Sequence, residues 1–139
     1  MSQTYSASAT ALGGRSGFAS SSDGRLKVEL STPAVLGGDD GPGTNPEQLF
    51  AAAHAASLLG AIRQVAEARG VKVPPDSNVT ATIAIGRDER DALDLSVALA
   101  ADIPCIDIKE ATAIVDEAMR ICPIARATCD NVSATVNVD

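Results

Sequence analysis

Hydrophobic residues recur along this chain in two periods, one of two residues and one close to four. In residues 26–31, Leu26, Val28 and Leu30 alternate with Lys27, Glu29 and Ser31, the spacing of a strand with one wetted face. Residues 5–12 and 17–22 are predicted to pair with it as a meander, joined by Gly13-Gly14-Arg15-Ser16 and by a two-residue hairpin turn at Asp23-Gly24. Further on, Val79, Ala81, Ile83 and Ile85, then Leu93, Leu95, Val97 and Leu99, face one side of a second strand pair whose turn lies in residues 86–91. A last strand is expected in residues 132–138, where Val132, Ala134, Val136 and Val138 alternate with Ser133, Thr135 and Asn137.

Two helices separate these groups. Residues 33–43 hold four Gly, two Pro and two Asp, a composition that sustains neither helix nor sheet, so they form a loop. It ends at Asn45-Pro46-Glu47-Gln48: Asn45 suits the N-cap, Pro46 the first helical position, and Gln48 the third residue of a capping box. The helix should run from residue 46 to about 69, stopped by Gly70 and Pro74-Pro75. Over residues 49–62 it is apolar on every side, so protein must surround it. Ala51, Ala52, Ala53, Ala55, Ala56 and Gly60 allow another backbone to approach closely, and in so small a chain a second subunit completes the cover most easily. A homodimer is therefore expected. After Pro104, Asp107 caps a second helix with Glu110 at its third position, an apolar stripe of Ile108, Ala111, Val115, Ala118, Met119 and Cys122, and an end or kink at Pro123. The order is strands, helix, strands, helix, strand: an α+β class with long helices on largely antiparallel sheet.

Composition narrows the function. The chain has 139 residues, which fits a single domain, residues 1–139. Its net charge is −7, which disfavours a nucleic-acid partner, and two Phe, one Tyr and no Trp leave almost nothing for base stacking. The polar residues 1–10 do not resemble a signal peptide, and the 14-residue apolar run of residues 49–62 is shorter than a membrane span. A cytoplasmic protein with no membrane partner is expected. Cys105, Cys122 and Cys129 are odd in number and form no C-x-x-C pair, so neither a disulfide framework nor a zinc site is signalled, and no metal or cofactor is expected.

Candidate chemistry gathers on the first helix. Glu47, Phe50, His54 and Ser57 fall within roughly 80° of arc at 100° per residue. One reading is structural: Glu47 favours the positive helix end, His54 bonds a backbone carbonyl, and Ser57 bonds back to the carbonyl four residues earlier. The other is a site in which His54 and Ser57 act as base and nucleophile. Against it, Glu47 lies about 10 Å along the axis from His54, too far to orient it, and a mid-helix serine lacks the sharp turn of a nucleophile elbow. Arg15, in a Gly-Gly-Arg-Ser-Gly turn, is either a solvated turn residue or a guanidinium delivered to an acid. Cys122 reads as a buried thiol, and Cys129 lies seven residues on.

Taken together, Gly43-Thr44-Asn45-Pro46-Glu47-Gln48-Leu49-Phe50-Ala51-Ala52, the loop Gly13-Gly14-Arg15, Cys122-Pro123 followed by Ala127-Thr128, and the terminal strand resemble the organic hydroperoxide resistance (Ohr) branch of the OsmC/Ohr superfamily. The resemblance covers essentially the whole chain. It implies an intertwined homodimer with antiparallel sheets wrapped around long central helices, and a thiol peroxidase that reduces organic hydroperoxides. In such enzymes a peroxidatic cysteine attacks the peroxide, a resolving cysteine closes a disulfide, and dihydrolipoamide or a lipoylated protein reopens it. By motif, Arg15 matches the arginine that stabilises the thiolate, Glu47 the glutamate that holds this arginine, and Cys122 the resolving cysteine.

The sequence departs from that pattern at the peroxidatic position, which is Ser57. Serine forms no sulfenic acid and no disulfide, so the two-cysteine cycle is expected to be absent or impaired. Met119, Ile124 and Ala125 stand where His, Tyr and Ser are expected around the resolving Cys-Pro, and Cys129 where a basic residue is usual. Such clustering argues for a remodelled pocket: a mainly apolar cavity at the dimer interface, with Phe50, His54, Met119 and Ile124 as pocket residues, taking an organic hydroperoxide or another hydrophobic small molecule. A non-peroxidase activity using His54 is the remaining alternative.

Overall fold

The computed structural model describes all residues, Met1–Asp139. The chain divides into two compact units, Met1–Leu49 and Phe50–Asp139.

The first unit is the expected meander in shortened form: β1 (Ala9–Leu12), β2 (Phe18–Ser21) and β3 (Lys27–Glu29), antiparallel in that order. The β2–β3 connection is not the two-residue turn expected at Asp23-Gly24. Ser21 N–H bonds the Leu26 carbonyl at 2.9 Å, enclosing four residues. Side chains hold that wider loop: Ser21 Oγ donates to Asp23 Oδ1, which also accepts from Arg25 N–H, and Leu26 N–H donates to Ser21 Oγ. The Gly- and Pro-rich loop contains one 3-10 turn, Ala34–Leu36, and returns beside β3. There Ser31 N–H bonds the Thr44 carbonyl and Thr44 N–H the Glu29 carbonyl, both at 2.9 Å.

Helix α1 runs Pro46–Ala68, as the capping signals predict. Asn45 Oδ1 accepts from Gln48 N–H at 2.8 Å. The Gln48 side chain does not reach back to Asn45; its Oε1 accepts from the Thr44 hydroxyl at 2.7 Å. By length and composition α1 is long and apolar enough to cross a membrane, beyond the 14-residue run read from the sequence. Its Leu58, Ala61, Ile62, Val65 and Ala66 are instead packed into the core of the second unit. Within one chain α1 is not covered on every side: Ala52, Ala53, Ala56 and Gly60 are exposed.

The second unit pairs β4 (Asn78–Arg87) and β5 (Leu93–Asp102) antiparallel over ten residues each, with the turn closed by Asp88 N–H on the Ala92 carbonyl. Next come α2 (Ile108–Ile121), α3 (Pro123–Thr128) and β6 (Ser133–Val138). The last strand joins β5 in parallel, so the sheet is mixed rather than antiparallel. A parallel partner requires a long crossover, which α2 and α3 supply. The core is aliphatic: Leu58 and Ile62 of α1, Ile114, Val115 and Ala118 of α2, and Val97 and Leu99 of β5. Each fully buried Leu or Ile contributes about 2–3 kcal/mol relative to exposure. Asp107 caps α2, accepting from Lys109 and Glu110 N–H. Ile108, assigned to the buried stripe by spacing, is 53% exposed, because it is the first helical residue and the core begins one turn later at Ala111.

Candidate active site

In the first unit Arg15 sits in a 3-10 turn, Gly14–Ser16, made possible by its glycines. Gly13 takes a left-handed φ of 77°, and a Cβ on Gly17 would lie 1.7 Å from the Leu12 carbonyl oxygen. The Arg15 Nη2 group bonds both carboxylate oxygens of Glu47, at 2.6 and 2.8 Å. Burial pushes the Glu47 carboxyl up, but the hydrogen bond from Arg15, a backbone hydrogen bond and the guanidinium charge outweigh it and hold its pKa below the ordinary value. Glu47 therefore stays ionised, and the guanidinium is fixed by it. Arg15 is an acid-paired residue rather than a solvated one.

In the second unit Ser57 Oγ lies 3.4 Å from Cys122 Sγ, within hydrogen-bond range for sulfur. The local reason is the Cys-Pro junction. Pro123 cannot continue α2 and opens α3, and it forces Cys122 into extended backbone, φ −63° and ψ 120°. The thiol is fully buried. Ser57 does not bond back along its own helix, as the structural reading expected, nor does it pair with His54 as a base–nucleophile couple would. Cys129, exposed at the far end of α3, is about 10 Å along the helix from Cys122 at 1.5 Å per residue, beyond the reach of a disulfide. All three cysteines are free thiols.

His54 is 1% exposed, and its Nδ1 has no hydrogen-bond partner, so the expected bond to a carbonyl is absent. Its ring meets Phe50 edge-on, with centroids 6.0 Å apart. It lines a cavity of about 460 Å³ together with Met119, Arg120, Ala125, Arg126, Thr128, Cys129 and Ala134. Of the four pocket residues expected from the sequence, His54 and Met119 line this cavity. Phe50 and Ile124 do not: both are partly buried and packed against the core. Arg120 and Arg126 were not singled out. The available signal was two arginines six residues apart with no Asp or Glu between them.

The family described as OsmC-like protein matches residues 37–137. The chain belongs to the OsmC-like family. It is 42% identical over 134 residues to the organic hydroperoxide resistance protein of Xanthomonas axonopodis pv. citri, covering 96% of this chain and 94% of that one. An organic hydroperoxide resistance protein from Legionella pneumophila superposes with a TM-score of 0.92 at 38% identity, covering 99% of both chains. One from Elizabethkingia anophelis gives 0.93 at 36% identity, covering 100% of this chain and 99% of that one. These relatives set the chain in the Ohr branch of the OsmC/Ohr superfamily, with the α+β OsmC/Ohr-like fold. Residue 57 of this chain is serine and residue 122 is cysteine.

Proposed function

We propose that this chain has an Ohr-type role in defence against organic hydroperoxides but does not turn over as a two-cysteine peroxidase. The observation that carries this reading is the hydroxyl of Ser57 standing 3.4 Å from the buried Cys122 thiol. In the two-cysteine cycle a thiolate attacks the peroxide O–O bond, keeps one oxygen as a sulfenic acid and releases an alcohol. A second thiol then displaces water to form the disulfide. Ser57 supplies neither step. The Arg15–Glu47 pair matches the family's thiolate-stabilising arginine and its holder, and residue 57, which matches the peroxidatic position, carries no thiol.

A homodimer in the cytoplasm is part of the same reading. Supporting it are the exposed small residues Ala52, Ala56 and Gly60 on α1, and the cross-strand pair Leu12 and Phe18, 57% and 49% exposed on a three-stranded sheet. Apolar surface of this kind favours a second copy. Dihydrolipoamide or a lipoylated protein is the reductant for any form in which the cycle is restored.

An assay with tert-butyl hydroperoxide, dihydrolipoamide and lipoamide dehydrogenase tests the proposal. Near-background turnover is expected, and Ser57→Cys should raise it by at least a hundredfold. Rapid turnover by the unmodified chain would overturn the reading. A second reading, binding of a small hydrophobic molecule, is favoured by the cavity beside His54, whose volume of about 460 Å³ lies in the range of ligand sites.

A further inference from the structure

The cavity carries three features that its apolar walls do not explain. The first is His54, nearly inaccessible to solvent and with Nδ1 unpartnered. A buried polar atom without a partner is costly, so folded chains rarely keep one unless something meets it. The second is a pair of cations. Arg15, Arg25, Arg69 and Arg87 each have a carboxylate within 4.0 Å, whereas Arg120 and Arg126, which line this cavity, have none, as is also true of Arg63 and Arg90 elsewhere. In a chain of net charge −7, with 18 acidic residues, two arginines without an ion-pair partner line the same hollow. The third is the rest of the lining. Met119, Ala125 and Ala134 offer aliphatic surface, and the Thr128 hydroxyl already donates to the Ile124 carbonyl, leaving it free only to accept.

We propose that this cavity, walled by α1, α2, α3 and β6, is a binding site for an aliphatic monocarboxylate. Its headgroup meets Arg120 and Arg126 and its chain lies along Met119, Ala125 and Ala134. The planar fork of arginine matches a carboxylate, and two such forks select an anion over a neutral molecule of the same shape. Met119 supplies a flexible wall that tolerates variation in the aliphatic body. His54 gives the bound molecule a hydrogen-bonding nitrogen inside the cavity. Ser57 and Cys122 are not among the lining residues, so the site does not depend on the peroxidatic position. The proposal rests on the ligand-binding reading above and adds to it the charge class of the ligand.

Isothermal titration of the full-length protein with octanoate, with 1-octanol and with acetate tests it. Octanoate should bind at least tenfold more tightly than either of the others, since octanol lacks the charge and acetate the chain. Arg120→Gln combined with Arg126→Gln changes two exposed side chains and should weaken octanoate at least tenfold while leaving octanol unaffected. His54→Leu should weaken octanoate severalfold with circular dichroism unchanged. Equal affinity for octanol and octanoate would refute the carboxylate while leaving a hydrophobic ligand site in place. Binding of neither compound would remove both readings. Undiminished octanoate binding by the double arginine variant would place the acid elsewhere and overturn the proposal.

Discussion

Replacing Ser57 with cysteine asks whether the niche shared with Cys122 still has the geometry of a redox pair. The two side-chain atoms are 3.4 Å apart, and a disulfide needs its sulfurs at about 2.05 Å, so the approach required is about 1.4 Å. Side-chain rotation supplies a movement of that size without displacing α1 or α2. The bond would join positions 65 residues apart, for which loss of unfolded-chain entropy gives about 4 kcal/mol of stabilisation. For a chain of 139 residues, unfolding entropy of about 0.3 kcal/mol per kelvin converts this into a rise in Tm of about 10–15 °C. Treatment of the Ser57→Cys variant with one equivalent of tert-butyl hydroperoxide, followed by calorimetry and thiol counting in denaturant, provides the assay. The variant should fall from four thiols to two, with the bond mapped to residues 57 and 122, and dithiothreitol should reverse the shift in Tm. An unchanged thiol count, a bond to Cys105 or Cys129 instead, or an unshifted Tm after oxidation would refute the reasoning.

Three further outcomes follow from the same structure. Glu47 has a depressed folded-state pKa, so its pairing with Arg15 stabilises the fold fully above the ordinary carboxyl value of 4.5 and is lost as pH falls through the folded-state value. Glu47→Gln should therefore cost about 1 kcal/mol in urea unfolding at pH 7, with the difference vanishing in strong acid; a difference independent of pH would contradict the ion pair. His54→Leu, which removes the unpartnered Nδ1 at similar volume, should stabilise the protein by about 1–2 kcal/mol, read from the denaturant midpoint. Ala56→Arg on the exposed face of α1 should convert a species of twice the 14.1 kDa chain mass into a monomer in sedimentation equilibrium; a monomeric unmodified protein would dismiss the dimer.

Local order was legible in the chain itself. Alternation of Val79, Ala81, Ile83 and Ile85 marks β4 because side chains of a strand change face at every residue, and Asn45 and Asp107 mark helix starts because each accepts from backbone N–H groups two or three residues ahead. The Gly13-Gly14-Arg15 turn and Glu47 were found as family motifs, and the serine at position 57 is a fact of sequence alone. What periodicity could not supply is any relation between distant segments. It could not show that β6 lies parallel to β5, a consequence of the crossover through α2 and α3. Nor could it show that α3 holds Cys129 away from Cys122, that Ser57 reaches across 65 residues to a buried thiol, or that His54 loses its expected partner. Arg120 and Arg126 looked like ordinary exposed charges, and only the shared cavity brings them together. The physical reason is that helical and strand spacing is set by bonds between near neighbours, while these juxtapositions arise only when aliphatic faces of separate elements are packed against one another.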